Sequence, residues 1–92
     1  MQNNKENMTL NYITQFIDKK INKNSDYITV TFYELRIKEN LSLDETDTFV
    51  HYSTLRLKNL GYTIYYTGEN YIQDGKTKTV RSNILYVAIK RK

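Results

Sequence analysis

The chain has 92 residues, a formal net charge of +4, 39% hydrophobic and 26% charged residues, and no cysteine. A length of this order leaves room for one small core, and the lack of cysteine excludes a disulfide framework, a thiolate metal site and a thiol nucleophile, in keeping with a reducing, cytoplasmic setting. No apolar run approaches the roughly 18 residues that span a bilayer, so no membrane partner is expected; the positive balance favours a polyanion, although heavy use of Asn, Lys, Ile and Tyr signals an AT-rich genome and weakens the lysine count on its own.

Residues 1–8 carry no apolar period and read as a flexible leader to a single domain at 9–92. Thr9 is a plausible N-cap, and Leu10, Ile13, Phe16, Ile17 and Ile21 recur at helical spacing, so a first amphipathic helix is predicted. Tyr27-Ile28-Thr29-Val30 is β-branched and too brief for a helix, which suggests a short strand. Thr31 with Glu34 forms a capping-box pattern and starts a second helix through Leu35 and Ile37 to about Glu39. Ser42 with Glu45 repeats the pattern, and a third helix is predicted from there to Leu60, closed by Gly61. Its core face is expected to hold Phe49, Val50, Ser53, Leu57 and Leu60.

After Gly61 the period becomes alternating: Tyr62, Ile64 and Tyr66 fall on one face, Thr63, Tyr65 and Thr67 on the other. Asp74-Gly75 is a two-residue hairpin turn in which both positions need positive φ, and Ile84–Ile89 supplies the returning strand. A continuous ladder from that turn sets Ile64 opposite Leu85 and Tyr62 opposite Val87. The fold class expected is α+β, in the order helix, strand, helix, helix, long β-hairpin.

That order resembles the winged helix-turn-helix family of DNA-binding proteins, and the stretch Val50–Tyr62, VHYSTLRLKNLGY, resembles the end of the family's recognition helix and its entry to the wing. Thr54 departs from the pattern, which usually has an apolar residue there. In size, composition and long basic wing the chain is also similar to the small origin-of-transfer binding accessory proteins of clostridial conjugative plasmids (TcpK type). That resemblance implies repeated DNA sites at an origin of transfer, and a relaxase or other plasmid-encoded protein as a further partner. Partition proteins that bind plasmid centromeres, and transcriptional repressors, share the architecture.

Double-stranded DNA is the partner this reading calls for. On the third helix the outward candidates are His51, Tyr52 and Arg56, able to reach bases or phosphates. Asp44, Glu45 and Asp47 suit the start of that helix but oppose a phosphate backbone, so the wing is expected to lead. Lys76, Thr77, Lys78, Thr79 and Arg81 follow the Asp74-Gly75 turn, with Tyr71 and Gln73 on the opposite arm: a basic, hydroxyl-rich ribbon suited to phosphates and to a narrow minor groove.

Nine tyrosines exceed what one small core takes in. The continuous register leaves Tyr65, Ile84 and Tyr86 on the sheet face away from the helices, a surface suited to a homodimer unless the N-terminal leader or first helix covers it. A competing reading is a winged helix used for protein contact alone. Enzymatic activity is not expected: His51 is the one histidine, there is no glycine-rich phosphate loop or two-histidine metal spacing, and neither a cofactor nor a metal is called for.

Overall fold

A computed structural model describes residues 9–91; the expected leader at 1–8 lies outside the described residues. Helix α1 spans Leu10–Lys23 and starts where Thr9 Oγ1 accepts the Tyr12 N–H at 3.0 Å. Ile13 and Ile17 are buried, with Tyr12, Phe16 and Ile21 packed around them. Strand β1, Tyr27–Thr31, follows after a short turn and buries Ile28 and Val30.

The expected second helix is present: residues 32–33 are α-helical and run directly into a wide turn, α2, at Glu34–Lys38. The Glu39 N–H reaches back five residues to the Glu34 carbonyl at 2.8 Å, which is π-type rather than α-type closure. Only Leu35 of this turn is buried, and Ile37 is 63% exposed. The Thr31–Glu34 capping box is formed in both directions. Lys20 adds the third partner: its Nζ lies 2.6 Å from Glu34 Oε2 and donates to the Thr29 carbonyl at 2.7 Å, so α1, β1 and α2 are pinned together at one carboxylate. Burial pushes the Glu34 carboxyl up, but the hydrogen bonds from Lys20 and Thr31 outweigh that and hold it below its ordinary value.

Helix α3, Leu43–Asn59, begins with the complete Ser42–Glu45 capping box and ends at Gly61, whose φ of +96° is costly for any other residue. Phe49, Ser53 and Leu57 face the core and are fully buried. Thr54 is buried too, and it is tolerated there because its hydroxyl bonds back to the Val50 and His51 carbonyls at 2.8 and 3.0 Å. Leu60, expected in the core, is 41% exposed.

Four strands complete the chain: β2 at Tyr62–Tyr66, β3 at Asn70–Gln73, β4 at Lys76–Thr79 and β5 at Ile84–Lys90. They form two antiparallel sheets, one ordered β1-β5-β2 and the other the hairpin β3-β4. The architecture is therefore α+β, with three helical segments against a small antiparallel sheet. One face of that sheet carries Ile28, Val30, Tyr62, Tyr86 and Ala88 into the helices, where they meet Ile13, Ile17, Leu35, Phe49 and Leu57. A fully buried aliphatic side chain such as Ile17 or Leu57 contributes about 1.5–3 kcal/mol.

The ladder is not continuous, which corrects the expected register. At the tip Asn70 pairs with Thr79 and Gln73 with Lys76, as a two-residue Asp74-Gly75 loop requires, with φ of +55° and +78° there. At the base, however, Tyr66 pairs with Tyr86, Ile64 with Ala88 and Tyr62 with Lys90. Between Tyr66↔Tyr86 and Asn70↔Thr79 the outgoing arm has residues 67–69 and the returning arm 80–85, an excess of three. An odd excess exchanges the two faces of β5. Tyr86 thus lies wholly inside the core instead of on the outer face, where its hydroxyl donates to Ser53 Oγ at 2.8 Å.

Candidate nucleic-acid interface

The excess residues set the course of the β3-β4 hairpin. The Arg81–Ile84 turn closes with an Ile84 N–H bond to the Arg81 carbonyl at 2.9 Å. Gly68, at φ +89°, donates to the Val80 carbonyl at 2.9 Å, and Val80 donates to the Glu69 carbonyl at 2.8 Å. Glu69 also accepts the Tyr66 N–H on its carboxylate at 2.6 Å. These bonds end one ladder and start the next, and they leave Val80 only 2% exposed.

Val80, Tyr71 and Val87 form a second small core with Tyr27, Tyr65, Ile84 and Ile89 packed against it. The base of the hairpin packs on the outer face of the main sheet through Tyr71 and Val80, while its tip projects beyond it. The covering element foreseen for this face was the leader or first helix; the cover is the ribbon's own Tyr71 and Val80. Of the three residues expected at a dimer interface, Tyr86 is in the main core, while Tyr65 and Ile84 are partly buried in this second core. The three do not form one exposed patch.

Tyr71 is the hinge pin of this arrangement. Its ring lies 5.8 Å from that of Tyr65 and 6.4 Å from that of Tyr27, and its hydroxyl is 3.4 Å from the Tyr27 hydroxyl. The bond to Tyr27 and burial push its phenol up to about 12, with the nearby Arg81 charge pulling the other way. Tyr71, expected as a DNA-contacting residue, is 7% exposed and serves as an anchor.

The remaining ribbon residues stand as expected from the sequence. Lys76, Thr77, Lys78 and Thr79 are exposed along β4, Arg81 is exposed in the turn that follows, and Gln73 is half-buried opposite Lys76. Lys78 pairs with Tyr71 across the ladder, so it shares the face that looks toward the sheet. Among the described residues the ion pairs are Lys20–Glu34 and Arg56–Asp18, and neither involves a ribbon cation.

The third helix offers less positive charge than its sequence suggests. Arg56 sends its guanidinium to Asp18 of α1, at 3.0 and 3.3 Å from the two carboxylate oxygens. His51 and Tyr52 are exposed, edge to face at 4.8 Å, and Asp44 and Asp47 are exposed near the start of the helix. Beside them Leu10, Tyr52 and Leu60 line a groove between α1 and the end of α3.

Tyr27 and Val80 carry the ribbon's placement, and the sequence reading did not select them as such. Val80 left a signal, being the one apolar residue in the polar run from Lys76 to Asn83. No His, Asp and Glu cluster among the described residues is arranged to hold a metal ion, and none of their helices is long and apolar enough to cross a membrane. Comparison with known proteins returns no matching family model, no matching curated protein and no matching solved structure.

Proposed function

We propose that this chain is a winged helix-turn-helix that binds double-stranded DNA through the basic arm of its wing, the β3-β4 ribbon, with the outward side of α3 in a supporting role. The observation that carries the reading is the contrast between two sets of cations. Arg56 is neutralised by Asp18, whereas Lys76, Lys78 and Arg81 stand exposed on one arm of a projecting ribbon with no carboxylate paired to them among the described residues. Such charge releases condensed counterions when it meets a phosphate backbone, and the interleaved Thr77 adds a neutral donor to phosphate oxygens, while the Thr79 hydroxyl donates to Asn70 Oδ1 at 2.6 Å. The acidic start of α3, at Asp44 and Asp47, opposes deep entry of that end into a groove, so the wing leads.

The test is fluorescence anisotropy on AT-rich duplex from the chain's own genetic neighbourhood, at two salt concentrations, for the wild type and for Lys76→Ala/Lys78→Ala/Arg81→Ala. Binding that falls steeply with salt, and a shallower slope by about 0.9 for each lost phosphate contact in the variant, supports the reading. No binding by the wild type at low salt removes it.

A second reading, protein contact, draws on the apolar exposure of Leu10, Tyr52, Leu55 and Leu60 around the α1–α3 groove. An interface of that composition keeps its affinity as salt rises, which separates the two.

A further inference from the structure

The packing of the hairpin's base on the sheet leaves a notch beside it, about 610 Å³ in volume. Its walls come from three places: Tyr27 on β1, Tyr71 on β3, Lys78 and Thr79 on β4, with Arg81 and Asn83 from the turn that joins β4 to β5. No carboxylate lines it; the titratable side chains that do are two cations and two phenols. The two phenol oxygens are 3.4 Å apart, so one hydroxyl proton is used between them and the other is left to donate elsewhere.

This is the donor set that a phosphate group calls for. A guanidinium presents a planar fork to two oxygens, an ammonium supplies a point charge, and an amide and a phenol provide neutral donors around them. The site is also preorganised. Tyr71 is fixed by two aromatic neighbours and the turn at Arg81 by its closing hydrogen bond, so the ordering cost on binding falls on the Lys78 and Arg81 side chains and little of it on the backbone.

We propose that this notch is the seat for one phosphodiester of the bound DNA strand, held by Arg81 and Lys78 with Asn83 and the tyrosine pair as neutral donors. A lone phosphate ion would fill only part of 610 Å³, whereas a phosphodiester brings its flanking sugars, for which Ile84 supplies an apolar wall. The seat deepens the DNA-binding reading and rests on it for the source of the phosphate. It also divides the ribbon cations by task. Lys76, beyond the notch, contributes general attraction, and Lys78 with Arg81 fix where along the backbone the ribbon sits.

The experiment is a set of duplexes in which a single linkage at a time is a neutral methylphosphonate, bound by the wild type and by Lys76→Gln, Lys78→Gln, Arg81→Gln and Tyr27→Phe. Arg81, Lys78 and Lys76 are all exposed, so their variants keep the fold, checked by circular dichroism. One linkage is expected to cost the wild type at least about tenfold when neutralised, a cost retained in Lys76→Gln and largely absent in Arg81→Gln. If the wild type binds the intact duplex but no single linkage stands out, or Lys76→Gln behaves like Arg81→Gln, the seat is wrong while DNA binding stands. If the wild type binds no duplex, the DNA reading fails and a nucleoside monophosphate is titrated instead. Shifts of the Tyr27 and Tyr71 ring signals that vanish in Arg81→Gln would then assign the seat to a free nucleotide, and unshifted signals would overturn it.

Discussion

The Tyr86 hydroxyl donates to Ser53 Oγ at 2.8 Å inside the core, and Ser53 in turn reaches the Val50 carbonyl at 3.3 Å, so the central strand is tied to α3 by a relay shielded from water. Removing one member leaves a buried polar group unpaired. Ser53→Ala is expected to cost about 1–3 kcal/mol, and Tyr86→Phe a comparable amount. The double variant should cost less than the sum, because the second substitution no longer strands a partner. Urea denaturation of the four proteins measures this; strict additivity would mean that the hydroxyls act independently.

Tyr86 and Glu34 set opposite pH limits. Burial pushes the Tyr86 phenol far above its ordinary value of 10.0, despite the Ser53 bond, so its contribution is complete below that value and is lost as pH rises beyond it. Glu34 is held below its ordinary value of 4.5, so its contribution is complete above that value and is lost as pH falls through the lower folded pKa. Thermal unfolding across pH should show Glu34→Gln less stable than the wild type near neutrality, with the gap closing below pH 4.5. A gap that persists unchanged in acid would place Glu34's role in shape rather than charge.

Arg56 looks like a recognition-helix cation by sequence, yet Asp18 holds it. Arg56→Ala should therefore weaken duplex binding by less than about threefold, equivalent to under one RT-scale step of about 0.7 kcal/mol. Its loss of stability should stay within about 1 kcal/mol, since the pair is half-exposed. A tenfold loss of DNA affinity on an otherwise stable Arg56→Ala would show that the guanidinium leaves Asp18 for the nucleic acid.

Gly68 sits where one ladder ends and the other begins. A Cβ built there meets nothing within 4 Å, so the penalty of Gly68→Ala is conformational: φ is +89°. About 1–2 kcal/mol of destabilisation is expected by equilibrium unfolding. Asn at the same position, which tolerates left-handed backbone better, should recover part of it.

Much of the fold was legible because its signals are local. Both capping boxes, the Thr9 cap, the Gly61 stop and the Asp74-Gly75 turn each depend on residues within a few positions of one another, and all are present. The tip register was legible for the same reason. The base register was not, since it depends on Val80 finding a place under the ribbon and on bonds between Gly68, Glu69 and Val80, which no periodicity encodes. That one misplaced bend moved Tyr86 from the surface to the core and Tyr71 from the exposed ribbon to a buried anchor. The second helix also ends where the sequence placed its exit, at Asn40 with φ +57°; its wide closure, rather than α-type closure, is what no local pattern announces.

In the three-stranded sheet β5 lies between β1 and β2, which never touch each other. Both flanking strands precede it in the sequence, β1 by more than fifty residues. During synthesis a chain that has emerged only as far as the ribbon therefore displays two strands without a partner, and helices α1 and α3 with no sheet to cover. Residues 84–90 act as the keystone: until they leave the ribosome the aromatic and aliphatic faces stay wet, and a nascent chain paused before them should remain fully sensitive to protease. Closing so wide a loop carries an entropic cost, so the pairing of β5 with β1 is expected to form after the contacts that α1, β1 and α3 make among themselves.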